Sequence, residues 1–173
     1  MPTVLLTGAT GYIGRRLEKI LREQPDVQLR LLVRNARKLT AKTRSCAEVV
    51  EGDTFNHEAL DRALEGVDTA YYLIHSMGTG SDFSRLDRVS AENFRNAAIA
   101  RGVKKIIYLG GLGETGDNLS HHLASRLEVA RILHTDFTAQ AVLLTELSAR
   151  MLAVIADPDR HRELPPDIRA WLE

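Results

Sequence analysis

Gly8, Gly11 and Gly14 stand three residues apart in VLLTGATGYIGRR (residues 4–16), where an apolar run gives way to charge. Three demands meet at that spacing. A tight turn needs a residue tolerant of positive φ, which suits Gly8. A backbone that approaches a pyrophosphate must carry no Cβ in the way, which suits Gly11, and a helix packed close on a strand suits Gly14. The free N–H groups and positive end of a helix starting near Tyr12 would then face phosphate oxygens. Thr10, Tyr12 and Ile13, interleaved with the glycines, complete this candidate cradle. Glycines also merely punctuate loops. What separates this triplet from punctuation is its place, after a strand-like run and at the opening of an amphipathic helix.

A second group of residues bears on which dinucleotide is meant. A sheet-end site for NAD places an acidic residue after the second strand, to bond the ribose 2′-OH. Here the second strand-like run ends LLVRNARK, with Arg34 in that place and Arg37 and Lys38 one turn on. A 2′-phosphate calls for cations, and arginine presents a fork of donors that fits it. NADP(H) is the expected cofactor, with NAD the alternative. Charge-assisted bonds of about 1.5–3 kcal/mol imply roughly a tenfold to hundredfold preference per contact. Arg15, just past the glycine turn, is a further candidate for the phosphate pocket. No spacing of His, Cys or carboxylates suggests a metal site.

These residues need a scaffold, and the apolar pattern predicts one. Val4–Leu6 reads as a short buried strand, and Ile13, Leu17, Ile20 and Leu21 as the apolar stripe of a helix. Strands follow at Gln28–Val33, Ala47–Val50, Ala70–Ile74 and Lys105–Leu109. Between them, residues 35–47 read as a helix and then a loop, and Asn56 as the cap of a helix through Val67. Met77–Ser84 reads as a loop, Arg85–Arg101 as a helix stopped at Gly102, GGLGETGDN as a loop, and Ser120–His134 as a helix. Near-continuously apolar strands alternating with helices predict a parallel sheet covered on both faces. The expected fold is therefore α/β, a doubly wound parallel sheet (Rossmann fold) in three α/β/α layers.

At TGATGYIG the sequence resembles the atypical and extended short-chain dehydrogenase/reductase family, including the NmrA-like NAD(P)-binding proteins. GD at 52–53, AYYLIHSM at 70–77, VKKIIYLGGLG at 103–113 and SHHLASR at 120–126 extend the resemblance from Val4 to about Leu133. It implies that Asp53 and Thr54, after the third strand, sit beside the adenine. It likewise implies that Ile74 and His75, after the fourth, line the ribose and the nicotinamide side.

The family usually carries a Tyr-x-x-x-Lys pair on the helix after the fifth strand, often with a serine ending that strand. This chain departs from the pattern: the strand ends Tyr108-Leu109-Gly110-Gly111, and the helix offers His122 and Arg126. Their i, i+4 spacing keeps both on one helix face. His122, with a reference pKa of about 6.5, could act as general acid. Arg126 could hold a ribose or phosphate but cannot shuttle a proton. The competing reading makes His122 a solvent-facing histidine and Arg126 half of a surface ion pair. Tyr71, Tyr72 and Tyr108 read as packing residues on their strands, and Asn93 and Asn96 as structural residues of the fourth helix.

The 173 residues suit one sizeable core. Lys plus Arg and Asp plus Glu both number 23, so no net field draws the chain to nucleic acid or an anionic membrane surface. Cys46 is the single cysteine, which fits a reducing, cytoplasmic setting. Neither a signal peptide nor a membrane-spanning run is expected. A nucleotide-binding domain over 1–156 is expected, with AVLLTEL (141–147) a sixth strand, 148–156 an apolar helix and 157–173 a carboxyl-terminal tail or shortened substrate region. Members of the family commonly continue into a substrate lid, so either this form is shortened or a partner chain, a second copy included, completes the pocket. Two functions follow: an NADP-dependent oxidoreductase acting on an unknown small molecule, or a non-catalytic NADP(H)-sensing or scaffold protein.

Overall fold

The computed structural model describes residues 1–75, 83–110 and 121–134, the side chain of His122 excepted. Its centre is β1, Thr3–Thr7, a five-residue run buried along its whole length. β2 (Gln28–Val33) lies parallel on one side of it, with Leu6 opposite Leu31. β4 (Thr69–Tyr72) lies parallel on the other, with Leu6 opposite Tyr71. β3 (Glu48–Glu51) extends the sheet beyond β2, and β5 (Lys105–Tyr108) beyond β4, giving the order β3-β2-β1-β4-β5. The chain reverses its direction of travel across the sheet between β1 and β4. That switch point leaves a crevice at the carboxyl ends of the strands. The fold is a Rossmann-like α/β sheet.

The alternation of strand side chains divides the core in two. Leu5 and Leu32 face one layer, built from α3 (His57–Leu64), α4 (Phe83–Ala100) and α5 (His121–His134) through Leu60, Leu64, Phe94, Val129 and Leu133. Val4, Leu6, Leu29, Leu31 and Val33 face the other, with Leu21 of α1 (Tyr12–Arg22) and Leu39 just before α2 (Ala41–Cys46). Gly102, at φ +69°, ends the turn after α4 as the sequence predicts.

The structure differs from the sequence reading in several places, each with a local cause. Ile20 is 57% exposed rather than part of the buried stripe. The buried line of α1 runs through Gly14, Glu18 and Leu21, and one residue along a helix is a turn of about 100°. Glu18, 6% exposed, is satisfied there by Arg22 at 3.0 Å. Residues 35–47 form a 3₁₀ turn (Ala36–Lys38) and then α2, not a helix followed by a loop. Two caps split the segment: Asn35 Oδ1 accepts from the Arg37 N–H at 2.9 Å, and Thr40 Oγ1 from the Thr43 N–H at 3.0 Å. β4 stops at Tyr72 rather than Ile74, because the Leu73 N–H turns to Thr7 Oγ1 at 3.0 Å. The expected sixth strand, the helix after it, the boundary at 156/157 and GGLGETGDN beyond Gly110 lie outside the described residues. Among the described residues no helix is long and apolar enough to cross a membrane, and no cluster of His, Cys, Asp or Glu could hold a metal ion.

Candidate functional site

The three glycines answer three different constraints. Gly8 has φ +70°, and a Cβ on it would stand 2.6 Å from the Leu73 carbonyl oxygen. Gly14 packs its Cα against the turn so closely that a Cβ would overlap the Gly8 carbonyl. Gly11 needs no positive φ and is packed less tightly than Gly14. Its φ of −78° is open to any residue, and a Cβ there would meet only the Gly8 oxygen, at 3.3 Å. Gly11 caps α1 without a side-chain bond, and the first turn of the helix holds no acid. The opening N–H groups of α1, those of Tyr12 and Ile13 among them, thus have no side-chain acceptor from the cap and keep their positive potential.

A cavity of about 590 Å³ opens beside this turn. Gly8, Thr10 and Gly11 bring the β1 exit to it, Leu32, Val33 and Arg34 the β2 exit, and Leu73, Ile74 and His75 the β4 exit. Gly52, Asp53, Thr54 and Phe55 come from the β3 exit, and Leu86 and Ser90 from α4. Arg34 is exposed at the rim, and among the described residues no acidic side chain bonds it. The nearby Glu51 carboxylate accepts instead from the Ala36 N–H at 3.0 Å. Asp53 Oδ1 accepts from the Phe55 N–H at 2.9 Å, which fixes the loop carrying the half-exposed Phe55 ring.

Beneath the cavity runs a buried hydroxyl chain. Thr54 Oγ1 and Ser90 Oγ lie 2.6 Å apart, and Ser90 Oγ and the Tyr72 hydroxyl 2.7 Å apart. Asn93 Nδ2 donates to the Thr54 carbonyl at 3.0 Å. The Thr54 hydroxyl is therefore engaged with α4, while burial pushes the Tyr72 phenol well above its usual range. At the β4 exit, the His75 ring meets the Tyr108 ring edge-on at 5.8 Å. His75 Nδ1 is buried and has no hydrogen-bond partner among the described residues. A buried polar atom left without a partner costs about 1–3 kcal/mol. Burial holds the imidazole below its usual pKa, and the Arg126 guanidinium adds to the effect. The Asp87 carboxylate and the Leu109 carbonyl oppose them. Tyr108 donates its hydroxyl to the Arg126 carbonyl at 3.3 Å, and Ser125 Oγ donates to Asp87 Oδ2 at 3.2 Å.

Of the residues singled out in the sequence, Gly8, Thr10, Gly11, Arg34, Asp53, Thr54, Ile74 and His75 come together at the cavity. Tyr12, Ile13, Gly14 and Lys38 stand outside its lining. The Tyr12 ring lies under the Arg16 guanidinium at 3.8 Å, and Arg15 Nε donates to the Thr10 carbonyl at 3.0 Å. Arg126 is likewise outside the lining, though its charge reaches His75. His122 opens α5, and its side chain lies outside the described residues. Phe55, Leu86 and Ser90 escape sequence reasoning. Phe55 carries a faint signal, a lone aromatic in the polar stretch EGDTFN, whereas Ser90 reads as any helix serine until α4 is packed.

The NAD(P)H-binding family matches this chain over residues 8–149. A (4-alkanoyl-5-oxo-2,5-dihydrofuran-3-yl)methyl phosphate reductase of Streptomyces griseus is 36% identical over 106 residues, covering 61% of this chain and 33% of that protein. A nucleoside-diphosphate-sugar epimerase of Staphylococcus aureus superimposes with TM-score 0.67 and 29% identity, over 78% of this chain and 47% of that one. Triphenylmethane reductase of Citrobacter sp., solved with NADP(H), gives TM-score 0.63 and 28% identity over 76% and 45%. This chain spans between about a third and a half of the length of the curated relatives it matches, from 33% to 52%. The family match starts at Gly8 of the glycine turn, and the chain belongs to the NAD(P)H-binding family, among the NmrA-like, atypical short-chain dehydrogenase/reductases.

Proposed function

We propose that this chain binds NADP(H) across the carboxyl ends of its strands and is the cofactor-holding part of a reductase of small carbonyls or related electrophiles. The observation that carries the reading is Gly11. Backbone conformation accounts for Gly8 and overlap with the turn for Gly14, whereas Gly11 has an ordinary φ, one tight contact at 3.3 Å, and a place in the cavity lining. A ligand that must touch the backbone there accounts for it, and the side-chain-free start of α1 suits a pyrophosphate. Arg34, bonded to no acid at the rim, suits a 2′-phosphate, with Arg37 and Lys38 exposed on the turn beyond. Asp53 and the Thr54 backbone then border the adenine side, and Ile74 and His75 the nicotinamide side.

When bound, NADPH supplies a hydride. The chain's own part is to orient the dinucleotide on the glycine turn, to neutralise its phosphates and to keep apolar walls, Leu73 and Ile74, along the cavity. His122 and Arg126 remain the candidates for a proton donor and a phosphate- or ribose-holding group, on a domain reaching to about residue 156. The lone Cys46 suits a cytosolic setting.

A second reading, a sensor or scaffold without turnover, has one observation in its favour. The Tyr72 and Tyr108 hydroxyls are both engaged, with Ser90 and with the Arg126 carbonyl, so neither replaces the family's proton-donating tyrosine. Calorimetry at moderate salt tests the cofactor, and a carbonyl-substrate screen separates the two readings. NADPH should bind tenfold or more tightly than NADH, and Arg34→Asp should erase most of the gap through loss of a bond of about 1.5–3 kcal/mol. Equal dissociation constants for the two in the wild-type chain would refute the NADP(H) assignment.

A further inference from the structure

His75 lies across β1 from Arg34, at the β4 exit, and lines the cavity. Its Nδ1 is buried with no partner among the described residues. The hydroxyls that could have served it are committed elsewhere: Tyr108 to the Arg126 carbonyl, Ser125 to Asp87, and Tyr72 to Ser90. A buried polar atom left unmet in this way calls for an explanation, and an absent ligand is one. We propose that His75 is a neutral acceptor whose Nδ1 takes a hydrogen bond from the nicotinamide-riboside half of the bound dinucleotide. The inference rests on the NADP(H) reading and adds to it a residue role at the reactive end of the site.

The surroundings suit that state. Arg126 of α5 presents a cation and Asp87 of α4 an anion, while Tyr108 of β5 offers a ring edge and Leu109 a carbonyl. Burial and Arg126 outweigh Asp87 and Leu109, so the ring stays neutral and one nitrogen keeps a lone pair. The nicotinamide half carries donors of the required kind, an amide NH₂ and ribose hydroxyls. Protonation would turn the acceptor into a donor, so binding and protonation compete, and by linkage the ligand must lower the imidazole's titration midpoint.

The test is an NMR titration of the chain's histidines, alone, with NADPH, and with 2′,5′-ADP, which carries only the adenosine half. Loss of one resonance in His75→Phe assigns the signal. NADPH should lower the His75 midpoint by about one pH unit, tenfold in proton affinity, and 2′,5′-ADP should leave it in place. His75→Asn, whose amide oxygen can accept near the Nδ1 position, should hold the NADPH Kd within about threefold, while His75→Phe weakens it about tenfold. A His75 midpoint unmoved by NADPH, or equal losses in the two variants, would overturn the role of His75 and leave the cofactor reading standing. Binding of neither nucleotide would end both.

Discussion

At the scale of single residues, a side chain added to a glycine should have different effects three positions apart. Gly14→Ala drives a methyl into the Gly8 carbonyl, backbone against backbone, with no flexible side chain to give way. Overpacking of that kind costs about 1–3 kcal/mol or more, so the melting temperature should drop whether or not ligand is present. Gly11→Val meets one contact at 3.3 Å and an ordinary φ, so the fold should survive. Its branched side chain would stand where phosphates approach, and NADPH affinity should fall at least about tenfold. Thermal melts and calorimetry on the two variants separate packing from binding. A well-folded Gly11→Val variant with full NADPH affinity would remove the cradle. The residue types at 8, 11 and 14 carry these constraints in the sequence itself, because each is a property of a turn between strand and helix. The condition of His75 is not legible there. It depends on Asp87, Tyr108 and Arg126 arriving from three other elements, 12, 33 and 51 positions away in the chain.

At the scale of elements, strands and long helices are legible because their apolar period is long enough to dominate. Gln28–Val33 and Lys105–Tyr108 need only their runs of Leu, Val and Ile. The segment from 35 to 47 is different, since two side-chain caps outweigh its polar, basic pattern, and Ile20 is lost to a glutamate that α1 buries through Arg22. One junction between elements invites a pH test. Asp68, at the head of β4, accepts from the Thr3 N–H of β1 at 2.9 Å and from Lys104 Nζ before β5 at 2.7 Å. The Lys104 bond first, and the Thr3 bond after it, hold its carboxyl below the usual 3.8. Its contribution is therefore intact above that value and is lost as pH falls through the folded pKa. His75 acts in a higher window. Its folded pKa lies below the usual 6.5, so the unfolded chain takes up the proton first and stability declines as pH drops below 6.5. Urea midpoints followed from neutral pH downward should show both limbs. His75→Phe should flatten the upper limb alone, and Asp68→Asn the lower one. An upper limb that persists in His75→Phe would assign it to another group.

At the scale of the whole molecule, sheet order and cavity are two views of one fact. The crossover from β3 back past β1 to β4 opens the crevice, and the loops leaving β1, β2, β3 and β4 line it. Ligand binding should then be felt by the entire fold, since the crevice exists only when the strands are assembled. A ligand that binds only the native state adds RT ln(1 + [L]/Kd), about 2.7 kcal/mol at a hundred times Kd. For a chain of this size that corresponds to a rise of roughly 5–11 °C in melting temperature. NADH at the same concentration, bound tenfold to a hundredfold more weakly, should add only about 0.4–1.4 kcal/mol. If Arg34 at its exposed rim carries the gap between the two cofactors, as proposed, the gap should narrow as salt rises and the screening length shortens. The shared part of the shift, assigned in the proposal to backbone N–H groups at the start of α1, should persist. Differential scanning fluorimetry with each cofactor, at low and high salt, reads both parts at once. Equal shifts at low salt would show that Arg34 does not select the 2′-phosphate, and no shift with either cofactor would show that the crevice is not a dinucleotide site.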